Sequence, residues 1–86
     1  MSAYVFSSPI CPPCQTLKPV IQDLKEEFSD LVWIDVNIKD DPTGLTQKYG
    51  VKQVPTVVVH SANGIESHSG TSAIGYYRIL RNAMRK

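Results

Sequence analysis

The chain contains only two cysteines, Cys11 and Cys14, and Pro12 and Pro13 stand between them. A disulfide between these cysteines closes a loop too short to staple a fold, because the stabilisation from a cross-link grows with the loop it closes. The 86 residues must therefore be held together by a hydrophobic core, and an apolar content of 42% is typical of a globular chain. We expect a single domain over residues 1–86.

The spacing of the two cysteines predicts a chemistry as well as a constraint. At the start of a helix, the first sulfur of a Cys-x-x-Cys pair lies where backbone N–H groups and the helix dipole stabilise an anion. We therefore predict that Cys11 is an attacking thiolate and that Cys14 resolves the mixed disulfide it forms. Pro12 and Pro13 are tolerated in a first helical turn and stiffen the backbone between the sulfurs. The pattern favours dithiol–disulfide exchange.

Two other interpretations of the cysteine pair stay open. A structural zinc site needs two more ligands, and only His60 and His68 are available, far downstream and outside the usual finger spacing. A buried, inert pair is the second alternative, although the preceding Ser7, Ser8 and Pro9 are typical of an exposed loop. Exchange is favoured over both, and we expect neither a bound metal nor a cofactor.

Charge and hydropathy exclude several classes of partner. The formal net charge is only +1, so the chain lacks the basic footprint expected of a nucleic-acid-binding protein. No apolar run approaches membrane-spanning length, and the first ten residues lack the basic start and apolar stretch of a signal peptide. We expect a monomeric cytoplasmic protein that binds neither nucleic acid nor membranes. A lone Cys-x-x-Cys in a reducing compartment is more often catalytic or metal-binding than structural.

Strand and helix signals alternate along the chain. Short runs rich in aromatic and β-branched residues predict strands at residues 3–6, 31–36, 54–60 and 65–69. Helical periodicity and capping residues predict helices at residues 12–29, at 42–49, and from 71 or 72 to 84. The apolar run at 31–36 is consistent with burial on both faces. The order β-α-β-α-β-β-α predicts an α/β fold with a four-stranded mixed sheet and helices on both faces.

Caps, turns and apolar stripes support these assignments. Asp41 is predicted to cap the second helix, with Pro42 at its first position and Gly50 at its end. Asn63 and Gly64 are a strong hairpin signal between the last two strands. Apolar residues at helical spacing form the predicted core faces of the first and last helices: Leu17, Ile21, Leu24 and Phe28, and Ala73, Tyr77, Leu80 and Met84.

Several motifs, taken in their order along the chain, resemble those of thioredoxins and glutaredoxins. Pro19 stands five residues beyond the second cysteine, where thioredoxins carry a helix-kinking proline. Val54, Pro55 and Thr56 match the cis-proline motif of the family, and Gly70 occupies the place of the glycine that helps form the substrate groove. The resemblance covers nearly the whole chain and is closest to short, glutaredoxin-sized thioredoxins. It implies a thioredoxin fold.

The resemblance also implies surroundings for the two sulfurs. A cis peptide before Pro55 would expose the backbone of Val54 beside the cysteines, so that an extended substrate segment could pair with it as an added strand. Pro12, Pro13 and Gly70 would complete this site. Protein disulfides would be the substrates, with ribonucleotide reductase or a peroxidase as candidate clients. A protein similar to thioredoxin reductase would be the electron donor.

The chain departs from the thioredoxin pattern near the active-site motif. Ile10 stands before Cys11, where thioredoxins usually have tryptophan, and Pro12 replaces a glycine. The buried aspartate that many thioredoxins place beneath the site would fall on Val5, which cannot transfer a proton. Water or Asp35 would then assist Cys14, unless Asp35 is a solvated carboxylate at a strand end.

Two further functions stay open as alternatives. A glutaredoxin would be reduced by glutathione, but residues 69–72 lack the second glycine and the acidic residue that glutaredoxins use to bind it, and Pro13 stands where many have tyrosine. A metal or iron–sulfur binding module would use Cys11 and Cys14 as ligands. The sequence favours a thioredoxin-like protein-disulfide reductase over both.

Overall fold

The computed structural model describes residues 1–84; Arg85 and Lys86, which the predicted domain includes, lie outside the described residues. Strands and helices follow one another in the predicted order. The strands are β1 (Ser2–Ser7), β2 (Val32–Asn37), β3 (Thr56–Ser61) and β4 (Gly64–Ser69). The helices are α1 (Pro12–Glu27), α2 (Leu45–Lys48) and α3 (Ala73–Met84).

The four strands form one mixed sheet in the order β2-β1-β3-β4. β1 runs parallel to β2 and antiparallel to β3, and β3 and β4 form the predicted hairpin. β3 is central, and its residues Val57, Val58 and Val59 are buried, as its apolar run indicates. The prediction that the second strand is buried on both faces is wrong, because β2 is an edge strand: Val32 is exposed and only Val36 is fully buried.

One face of the sheet is covered by α1 and α3 together. The predicted stripe of α1 is buried, with Phe28 just beyond the end of the helix. In α3 Leu80 is buried as predicted, but the buried face is turned relative to the rest of the predicted stripe, because Tyr76 and Ala83 are buried while Tyr77 and Met84 pack at the margin of the core. Successive side chains of a helix point about 100° apart around its axis, so a buried stripe shifted by one residue faces a clearly different direction.

The other face of the sheet is covered by α2 and its flanking loops. Phe6 and Val58 form the buried centre there, and Leu45 and Tyr49 pack against them. The predicted helix at 42–49 is too long, because Gly44 takes a left-handed conformation (φ 73°) and helix begins only after it. Helices therefore lie on both faces, as predicted. Within residues 1–84, no helix has both the length and the apolar character that crossing a bilayer requires.

Candidate active site: a disulfide beside a cis-proline

The two cysteines are joined by a disulfide at the start of α1. Cys11 is the N-cap residue, with extended backbone (φ −111°, ψ 103°), and Pro12 and Pro13 occupy the first two helical positions. The Cys14 N–H donates a hydrogen bond to the Cys11 sulfur across 3.1 Å. This N–H is one of the donors that a helix start leaves without a helical partner, so Cys11 Sγ lies where negative charge is stabilised.

The peptide between Val54 and Pro55 is cis, as predicted. It lies directly before β3 and brings the Val54 carbonyl oxygen to 3.7 Å from Cys11 Sγ. Cys11 is only 7% exposed, whereas Cys14 is half-buried. Cys11 Sγ therefore lies between the Cys14 N–H at the helix start and the backbone of the cis-proline loop.

Gly70 lies beside the same loop, at the end of β4. Its N–H donates to the Pro55 carbonyl across 3.1 Å, and its φ of 98° is a conformation that glycine adopts without steric cost. The strand register explains why Gly70 lies beside the cis-proline loop, since Phe6 pairs with Thr56 and Thr56 pairs with Ser69. The ends of β1 and β4 and the start of β3 therefore converge.

Tyr76 is a site residue that the sequence motifs and the predicted α3 stripe do not identify. Its side chain is fully buried, and its hydroxyl lies 2.5 Å from the Gly70 carbonyl oxygen and 3.3 Å from that of Pro55. Burial raises the pKa of Tyr76 to about 12, so the phenol keeps its proton and donates it. The signal that would have found it is the phase of the α3 stripe, because a buried tyrosine usually has a hydrogen-bond partner.

A cleft of about 740 Å³ opens on the other side of the disulfide and is lined by Cys14, Lys18, Lys25 and Asp35 among others. Val5 forms part of its floor and is buried in the core, so the position where thioredoxins often carry a carboxylate is apolar. Asp35 is 69% exposed and accepts a hydrogen bond from Lys25 Nζ at 3.0 Å. It therefore shares the cleft with Cys14 as a surface carboxylate paired with a lysine.

The remaining candidate residues lie apart from this arrangement or at its rim. Ile10, next to Cys11, is 75% exposed and presents an apolar side chain at the surface. His60 is exposed on β3, and the His68 ring packs edge-on against Tyr76 with the ring centres 4.7 Å apart. Among residues 1–84, no three His, Cys, Asp or Glu side chains are grouped so that they could hold a metal ion.

Comparisons with known proteins agree with this geometry. The family model for thioredoxin matches residues 4–79. The thioredoxin of Mycoplasma genitalium is 38% identical over 66 residues, which cover 77% of this chain and 60% of that protein. That of Methanocaldococcus jannaschii is 33% identical over 57 residues, which cover 65% and 66% of the two proteins. The chain spans about half to two thirds of the length of such relatives.

A solved structure shows the same fold. Thioredoxin F from spinach chloroplasts, in its short form, matches with a TM-score of 0.85 over 98% of this chain and 76% of that chain. The identity in this comparison is 19%, so it establishes the fold alone. The match of the thioredoxin family model to residues 4–79 shows that the chain belongs to the thioredoxin family.

Proposed function

We propose that this chain is a thiol–disulfide oxidoreductase that reduces disulfides in proteins. The observation that carries the proposal is the position of Cys11 Sγ, which accepts the Cys14 N–H at a helix start and lies 3.7 Å from the Val54 carbonyl. That N–H stabilises a thiolate, and the adjacent loop offers backbone to a substrate segment.

The reaction follows from the order of the two sulfurs. The Cys11 thiolate attacks one sulfur of a substrate disulfide, whose S–S bond breaks as the second substrate sulfur leaves and takes up a proton. Cys14 then loses its proton and attacks Cys11 Sγ, which releases the first substrate sulfur as a thiol. Two electrons pass to the substrate, and the chain is left with the Cys11–Cys14 disulfide seen in the structure.

Substrate binding is assigned to the surface around Cys11. An extended segment would pair with the backbone of Val54, next to Pro55, and run towards Gly70, while Pro12 and Pro13 form the exposed rim on the helix side. Support comes from the contacts that bring Val54 to Cys11 and Gly70 to Pro55.

We assign regeneration of the dithiol to a protein similar to thioredoxin reductase rather than to glutathione. The turn after β4 reads Ser69, Gly70, Thr71 and Ser72, and it holds no carboxylate for the amino group of glutathione. The protein would act as a monomer in the cytoplasm, in electron transport and redox homeostasis, without a cofactor of its own. Ribonucleotide reductase and peroxidases are the candidate clients.

Reduction of insulin disulfides under two reducing systems tests this function. We expect turnover with NADPH and thioredoxin reductase, and none above background with NADPH, glutathione and glutathione reductase. Cys11→Ser should abolish turnover, whereas Ser67→Ala, at an exposed position of β4, is a control outside the sulfur chemistry and should leave turnover unchanged. Turnover by the glutathione system alone would replace this proposal with the glutaredoxin alternative, and no reduction under either system would overturn it.

A further inference from the structure

A small hydrogen-bond network beneath the candidate active site joins α3 to two loops. The hydroxyl of Tyr76 lies nearest the Gly70 carbonyl, at 2.5 Å, and the Gly70 N–H donates to the Pro55 carbonyl. A tyrosine hydroxyl has one hydrogen to donate, so the shorter contact with Gly70 takes it. The Pro55 carbonyl, 3.3 Å from the hydroxyl, already accepts the Gly70 N–H.

This network holds the turn at Gly70, a residue that has no side chain to hold the turn in place. Gly70 is exposed, and its backbone makes two hydrogen bonds: its N–H donates to the Pro55 carbonyl, and its carbonyl accepts from the Tyr76 hydroxyl. At the surface, Gln53 Nε2 donates to Ser69 Oγ across 2.7 Å and ties the same two loops a second time. The Tyr76–Gly70 contact is partly buried, and a hydrogen bond shielded from water is stronger than the exposed one between Gln53 and Ser69.

The Tyr76 ring is itself held in a fixed place. It is fully buried in the core with Leu80, and the His68 ring packs against it edge-on. Phenylalanine would fill nearly the same space, so the hydroxyl is not needed to fill the core. A buried hydroxyl must be compensated by a hydrogen bond, and here its partner is groove backbone rather than either sulfur.

We propose that Tyr76 is a positioning residue that sets the spacing between the cis-proline loop and the Gly70 turn, and with it the affinity for extended protein substrates. The inference rests on the proposed function, because it takes these two loops as the walls of the substrate groove. Tyr76 contacts neither Cys11 nor Cys14 in the network, so it acts on substrate binding and not on the exchange step.

Tyr76→Phe tests the inference, because its effect on the kinetics should differ between a protein substrate and a small disulfide. We expect the KM for insulin to rise about five- to tenfold, the effect of losing the hydrogen bond from Tyr76 to the Gly70 carbonyl, with kcat changed less than about twofold. The rate with a small aromatic disulfide, which does not span the groove, should stay unchanged. Tyr77→Phe is the matched control, because Tyr77 lies at the core margin against Phe28, with ring centres 6.0 Å apart.

The outcomes separate this inference from the proposed function. An unchanged insulin KM in folded Tyr76→Phe, or equal losses with insulin and the small disulfide, would overturn the positioning role while leaving the oxidoreductase proposal in place. No reduction of either substrate by the unaltered protein would overturn both. If Tyr76→Phe does not fold, NMR of the unaltered protein decides: a hydroxyl proton coupled to the Gly70 carbonyl supports the role, and a rapidly exchanging one refutes it.

Discussion

Val5 shows how one residue changes the proton chemistry open to the site. It is buried against the core that α1 and α3 form, and it borders the cleft beside Cys14. Valine offers no group that accepts a proton, and the carboxylate in the same cleft, Asp35, is largely exposed and bound to Lys25. We infer that the proton of Cys14 leaves to water in the cleft or to Asp35 at its edge.

Gly75 is a second residue whose identity affects the packing around the site, because it has no side chain. Alanine would favour the helical state of α3 by about 1 kcal/mol over glycine. A Cβ at this position, however, would overlap the His68 ring, which is packed against Tyr76. We therefore expect Gly75→Ala to lower the free energy of unfolding by about 1–2 kcal/mol, measured by urea denaturation.

A double-mutant cycle separates the two effects at Gly75. With His68→Ala the obstructing ring is gone, and Gly75→Ala should then raise the free energy of unfolding by up to about 1 kcal/mol. Stabilisation by Gly75→Ala in the unaltered background would show that the His68 ring does not occupy this space.

Helix α2 is shorter than predicted because a turn takes the place of its first residues. The prediction that Asp41 is the N-cap with Pro42 at the first helical position is wrong, because the N-cap is Gly44 and the helix begins at Leu45. The Asp41 carboxylate still accepts the Thr46 N–H at 2.8 Å, within the first helical turn, and the Thr43 N–H at 3.1 Å. These bonds close a turn ahead of the helix, and that turn moves the helix start to Leu45.

The turn at Asp41 predicts a pH dependence of stability. Hydrogen bonds from the side chains of Thr43 and Thr46, and from the backbone of Thr46, lower the pKa of Asp41 to about 2. The unfolded carboxyl has a pKa of about 3.9, so the stabilisation is complete above that value and is lost as the pH falls towards 2. Asp41→Asn should be less stable than the unaltered chain at pH 7, and this difference should shrink by pH 2.5.

Urea denaturation at the two pH values measures this difference. Asp40→Asn is the matched control, because Asp40 is an exposed neighbour outside these hydrogen bonds. A stability difference for Asp41→Asn that is the same at pH 7 and pH 2.5 would contradict the account of this turn.

The elements that could be predicted from the sequence are those with strong local signals. The stripe of α1, the hairpin at Asn63 and Gly64 and the apolar run of β3 were confirmed, because each depends on residues close in the chain. Leu80 of the α3 stripe is buried as predicted, but the burial of Tyr76 and the exposure of β2 were not predicted, since they depend on how a helix crosses the sheet and on which strand lies at its edge. Such long-range packing has no local signature.

The topology of the whole chain gathers the candidate site from three strand ends. β1 leads to Cys11, β3 starts after Pro55, and β4 ends directly before Gly70, and the register of the strands places these three ends together. Cys11, Pro55 and Gly70 could be identified from the sequence motifs alone. Tyr76 could not be found in the same way, because its role depends on a contact between α3 and backbone that only the folded sheet creates.

The order of the two thiols, with Cys11 attacking and Cys14 resolving, is open to a direct measurement. Reduced Cys14→Ser, reduced Cys11→Ser and the reduced unaltered chain are each mixed with insulin and quenched with acid, and the covalent complexes are quantified by mass spectrometry. Without a resolving thiol, Cys14→Ser should accumulate a mixed disulfide through Cys11, whereas Cys11→Ser and the unaltered chain should not. A complex that forms through Cys14 in Cys11→Ser at a comparable rate, with none through Cys11, would contradict the account.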